Sequence, residues 1–196
     1  MAKSKIKCMF FEPTEFAELA LRRYKGVRES ELLCPASGLG YHNATVVVVP
    51  QMPRPAEYPN GCGILEHPDY PHTDPRWPKA CPCGYEFQNG DHWQINIHVL
   101  YSNPEMNGLI PLEQAPVGAM WDAWWYHFKG PDGRCLVVRT PGGDWVIDAK
   151  AQDGRGWTRT GEPPELTVKP SIGIGGDPGK GWKYHGFLTN GYLEEC

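Results

Sequence analysis

The residues best suited to chemistry stand together at Cys81-Pro82-Cys83-Gly84-Tyr85, a Cys-x-Cys knuckle closed by a glycine and an aromatic ring. Thiolate and imidazole are the ligands zinc prefers, and a glycine after the second cysteine lets the backbone turn tightly around an ion. Two thiolates one residue apart fill half of a tetrahedral site, so the remaining ligands must arrive from other segments. Cys34, with His42 eight residues later across a glycine-rich turn, is the best long-range source, and His72 lies just upstream of the knuckle. Cys62, held between Gly61 and Gly63, competes, and His67 and His92 flank the same stretch. The expectation is one structural Zn2+ held by Cys81 and Cys83, with partners drawn from Cys34, His42 and His72. Two incidental thiols are the bland alternative, because Cys-x-Cys is less diagnostic than a doubled Cys-x-x-Cys.

A catalytic metal would need an open position and a carboxylate to move a proton. Asp69, Asp74, Glu86 and Asp91 are near in sequence, yet neither a His-Glu-x-x-His nor a His-x-Glu pattern is present. A closed, structural site is the favoured reading, and no catalytic residue is assigned. The string from Gly173 to Gly181 fails as a P-loop at Ile174 and Gly181, and fails as a dinucleotide fingerprint at Pro178. It reads as a surface loop. The aromatic run from Met120 to Phe128 reads as core, and His185 as a hydrogen-bonded structural histidine.

The elements that must position these residues are mainly β. Thr14 to Lys25 is the one stretch with helical spacing, through Phe16, Leu19, Ala20 and Tyr24; Thr14 could cap it, and Arg22, Arg23 and Lys25 suit its C-terminal end. Thr45 to Val49 predicts a strand buried on both faces, and Ile95 to Tyr101 a half-buried strand with His98 on its polar side. A hairpin is expected over Arg134–Asp148, and another around Asn190-Gly191, a pair that accepts a type I′ turn. The fold class is therefore mainly β (α+β), with one N-terminal helix at about 14–25 and long Gly/Pro-rich loops. The whole of 1–196 reads as a single metal-stapled domain, with a knuckle loop over about 50–92 and a β-hairpin core over about 95–196. The loop from Pro50 to Pro82 lacks a period, but its aromatics and prolines predict that it is ordered.

Glycine and proline make up roughly a fifth of the 196 residues, a level that fits many short strands joined by shaped turns rather than a low-complexity chain. A formal net charge of −4 and a pI of about 6.0 argue against generic duplex nucleic-acid binding. No apolar run approaches the length of a membrane span, and the first residues lack the core of a signal peptide. A reducing cytoplasm is expected, where seven cysteines are thiols or metal ligands rather than disulfides.

In the wording and order of several blocks the chain resembles a family of uncharacterised proteins encoded by tailed bacteriophages and prophages. The blocks are Cys34-Pro35 through Gly40-Tyr41-His42-Asn43-Ala44, Asp74-Pro75-Arg76-Trp77-Pro78 with Cys81 to Phe87, Ala115 to Trp121, Gly130 to Gly133, Gly143 to Asp148, Gly161 to Pro164 and Tyr184 to Leu188. The resemblance implies a phage accessory or regulatory protein in the host cytoplasm that binds a protein of phage or host. A virion head or tail component is the alternative, and a metal-dependent hydrolase the third. Family members carry further cysteines between the segments matching Asp148 and Ser171; this chain lacks them, so the resemblance implies one retained site, at the His42 and Cys83 blocks.

Overall fold

The computed structural model describes residues 5–24, 34–36, 38, 40–50, 70–87, 92–150, 154, 156–176 and 181–196. Alternation of apolar and polar side chains dominates these residues, and it gives β1 (Lys5–Lys7), β2 (Met9–Tyr24), β3 (Tyr41–Pro50), β4 (His92–Ser102), β5 (Ile110–Pro111) and β6 (Ala119–Asp122). There follow β7 (Leu136–Thr140), β8 (Gly143–Val146), β9 (Thr158–Thr160), β10 (Thr167–Ile174), β11 (Tyr184–Thr189) and β12 (Tyr192–Glu195). A single 3-10 turn at Leu112–Gln114 is the only helical element among the described residues. None of them forms a helix long and apolar enough to cross a membrane.

The chain groups into two compact units, Met1–Pro13 with Tyr101–Cys196, and Thr14–Leu100. In the first unit, β1, β12, β11, β10 and β9 form a five-stranded antiparallel sheet in that order. The opening residues of β2 pair in parallel with β6, which continues antiparallel to β7 and β8. Met120, Leu136, Val138, Trp145 and Ile147 pack with Leu166, Val168, Ile172, Tyr184, Leu188 and Leu193 to make its core. Both expected hairpins are present, β7–β8 and β11–β12, and Asn190 takes the positive φ of 47° that its turn requires. Of the aromatic run, Met120 and Trp121 are core, whereas Trp124 and Tyr126 are exposed.

The second unit corrects the helix expected at 14–25. That segment is the body of β2, paired antiparallel with β3 from Phe16↔Pro50 to Tyr24↔Tyr41, with an irregularity between Leu19 and Ala20. Ala17, Leu19, Leu21 and Arg23 are buried at every second position, a period of two that the helical subset Phe16, Leu19 and Ala20 concealed. Pairing along a whole strand outweighs the few tenths of a kcal/mol per residue of helix propensity. Thr14 caps nothing: its hydroxyl donates to the Leu100 carbonyl and accepts from the Phe16 N–H. Leu19, Leu21, Val49, Trp77 and Ile95 form this unit's core. Val48 is 55% exposed, so β3 is not buried on both faces there.

Candidate metal centre

The centre is assembled within the second unit. Residues 79–87 fold back as a miniature hairpin: Ala80 and Glu86 bridge, the Phe87 N–H donates to the Lys79 carbonyl and the Cys81 N–H to the Tyr85 carbonyl. At its tip the Gly84 N–H closes on the Cys81 carbonyl at 2.9 Å, a four-residue turn with Pro82 at the position whose φ the ring presets. Gly84 leaves the turn at φ 88°, which a side chain would strain, and this is the tight turn its place in the sequence predicts. The knuckle is anchored by Trp77, which reaches this unit's core while its Nε1–H donates to the Pro71 carbonyl.

Around this tip the fold brings Cys34, His42, Cys81 and Cys83 together, with all four ligand atoms within 4.8 Å of one another. Cys34 Sγ stands 3.6 Å from Cys81 Sγ, and Cys83 Sγ stands 3.2 Å from His42 Nδ1. Cys34 and Cys81 are buried, at 1% and 4% exposure, whereas Cys83 and His42 are half-buried. Cys34 is turned inward by a tight loop in which the Gly38 N–H donates to its carbonyl. His42 sits near the start of β3, opposite Arg23 of β2. Burial, followed by the neighbouring thiols of Cys81 and Cys34, pushes the Cys83 thiol up to about 12. Three sulfurs this close resist ionising alone, and a bound cation would relieve that cost while releasing their protons. The donor set of three sulfurs and one imidazole nitrogen could hold a metal ion.

Of the five residues expected at the site, these four converge. His72 does not join them; it is exposed, at the turn that begins the Trp77 anchor. Cys62, His67, Asp69 and Asp91 lie outside the described residues. The Asp74 carboxylate is bound by Arg76 through its side chain and backbone, which hold it down at about 2. It is spent on shaping the loop.

Two neighbours escaped the sequence reading. Tyr85 stacks on the His42 ring at 4.1 Å and 12°, and the guanidinium of Arg23 lies over the Tyr85 ring, 4.5 Å from its centroid. Tyr85 was visible as the aromatic after the knuckle, but nothing local ties Arg23 to it. Only the β2–β3 register, which sets Arg23 against His42, does so.

No family model, curated protein or solved structure matches this chain. The centre stands on its own geometry.

Proposed function

We propose that the chain is a zinc-stapled β-rich binding protein, a phage accessory or regulatory factor whose work is to hold a protein partner. The observation that carries the metal assignment is the spacing of the donors. Around a tetrahedral Zn2+, with Zn–S near 2.3 Å and Zn–N near 2.0–2.1 Å, sulfurs stand about 3.8 Å apart and sulfur and nitrogen about 3.5 Å. The 3.6 Å between Cys34 and Cys81 and the 3.2 Å between Cys83 and His42 need only small adjustments to meet these values. Soft thiolates with one imidazole favour zinc over oxygen-seeking cations.

Four protein ligands fill a tetrahedron and leave no place for an activated water, which favours a structural metal over hydrolysis. Binding, rather than chemistry, also suits the large aromatics left at the surface of the first unit, Trp124, Tyr126, Trp182, Phe187 and Tyr192. Affinity capture from infected cells with wild-type and Cys83→Ser protein tests the reading. A defined phage or host protein retained by the wild type and lost with the metal supports it. Recovery of the chain in purified virions at a fixed copy number, with no such partner, replaces it by the virion-component reading.

A further inference from the structure

The three sulfurs of the centre differ in access in a way that bears on their reactivity. Cys34 and Cys81 are buried to within a few per cent of completely, while Cys83 is partly open, at the tip of the knuckle. All three lie within disulfide-forming reach after small movements, since every ligand atom of the group is within 4.8 Å of the others. The Cys34 and Cys83 sulfurs start no more than 4.8 Å apart, against about 2.05 Å in a disulfide. A metal-held thiolate stays deprotonated, and the accessible one is the one a small oxidant meets first.

We infer that the centre is a peroxide-modifiable site: Cys83 is the thiolate oxidised first, Cys34 resolves it as a disulfide to the knuckle, and the metal is released. This rests on the zinc reading above. In the first step Cys83 Sγ attacks one oxygen of hydrogen peroxide, the O–O bond breaks and the other oxygen leaves as hydroxide with its proton, so the attacked oxygen keeps its own proton and a sulfenic acid forms on Cys83. In the second step the Cys34 thiolate attacks the Cys83 sulfur, the S–O bond breaks and hydroxide leaves. Two thiolates and one peroxide thus become one disulfide and two hydroxides, and the two electrons come from the sulfurs. Zn2+ departs without changing its charge, because two of its four ligands are no longer anionic thiolates but neutral, weakly donating disulfide sulfurs.

Cys34 is favoured over Cys81 as the resolving thiol because Cys81 and Cys83 flank a single proline inside a closed four-residue turn, where bridging would distort the Cys81–Gly84 hydrogen bond. The product would keep residue 34 tied to the knuckle by a covalent bond in place of the metal. Oxidation therefore exchanges one staple for another and frees His42, rather than unfolding the unit.

The test uses full-length Cys196→Ser protein, since Cys196 is exposed and would form bridges between chains. Zinc is first counted by elemental analysis, then hydrogen peroxide is titrated while a chromogenic chelator records free zinc. Non-reducing peptide mapping with trypsin and chymotrypsin separates Cys34 from Cys62, which otherwise share a tryptic peptide. The expected result is stoichiometric zinc release together with a Cys34-to-knuckle disulfide, both reversed by a dithiol and added zinc. If the protein holds zinc but keeps it at peroxide levels that oxidise a free cysteine, the inference fails and the zinc reading stands. Release accompanied by a Cys81–Cys83 bridge, a Cys62 bridge or an unbridged sulfonate on Cys83 also overturns it. A protein that never carried zinc fails the metal reading itself.

Discussion

Replacing Cys34 with serine removes one of the two ligands, with His42, that reach the knuckle across a long loop, and a centre reduced to three protein donors should not keep its metal. Cys34 and Cys81 are 47 positions apart, and a metal joining them closes a loop of that size. Treated as a cross-link, such a closure restricts the unfolded chain by about 4 kcal/mol at 25 °C. For a chain of 150–250 residues each kcal/mol shifts the melting temperature by about 2–4 °C, so Cys34→Ser should lower it by about 8–16 °C. Circular dichroism melts of metal-loaded protein measure this directly, with His72→Ala as the control because His72 is exposed and outside the group. Chelation of the wild type should reproduce most of the Cys34→Ser shift and add little to the variant. A variant that has lost its metal yet melts within about 2 °C of the wild type would refute the loop-closure reasoning, since the predicted shift is at least four times larger.

The first unit offers independent tests of its packing. Gly118 has φ 92°, and a Cβ there would lie 2.6 Å from the Lys7 carbonyl oxygen, so Gly118→Ala should destabilise by roughly 2–4 kcal/mol in chemical denaturation while leaving metal content unchanged. Arg159 is 4% exposed and binds Asp148, whose other oxygen accepts the Leu136 N–H; Arg159→Met should cost about 3–5 kcal/mol because it leaves a buried carboxylate uncompensated. The double variant with Asp148→Asn should recover part of that loss in a mutant cycle. Burial alone would raise the Asp132 carboxyl, but its bonds to Arg159 and Arg134 outweigh this and hold it below the usual range. Its contribution to stability is therefore present above about pH 4 and lost as the pH falls through the depressed folded value. Melts from pH 7 to pH 2 should show a shallower acid-side decline for Asp132→Asn than for the wild type.

Those parts of the fold set by short-range chemistry were legible in the sequence. Asn190-Gly191 specifies its turn because few residue pairs accept positive φ, and the β7–β8 hairpin is bracketed by Gly/Pro turns on both sides. The knuckle was legible for the same reason, as Pro82 and Gly84 dictate a turn that presents both thiols. The segment from Thr14 to Tyr24 was not, because its apolar residues satisfy both periods and only pairing with β3 decides between them. Half of the metal centre shared that difficulty. Cys34 and His42 could be named as candidates, but the preference for them over His72 comes from the β2–β3 register and the loop at Gly38, which no local spacing encodes.

The staple, the loop it closes and its oxidation all require that Cys34, His42, Cys81 and Cys83 hold zinc. Native mass spectrometry of the protein purified without added metal or chelator, read beside elemental analysis, counts the ion and identifies it in one preparation. One Zn2+ per chain is expected, retained by Cys196→Ser and His72→Ala and absent from Cys83→Ser. Wild-type protein that is folded yet carries no stoichiometric zinc, or a Cys83→Ser variant that still carries it, would rule out a zinc centre at these four residues.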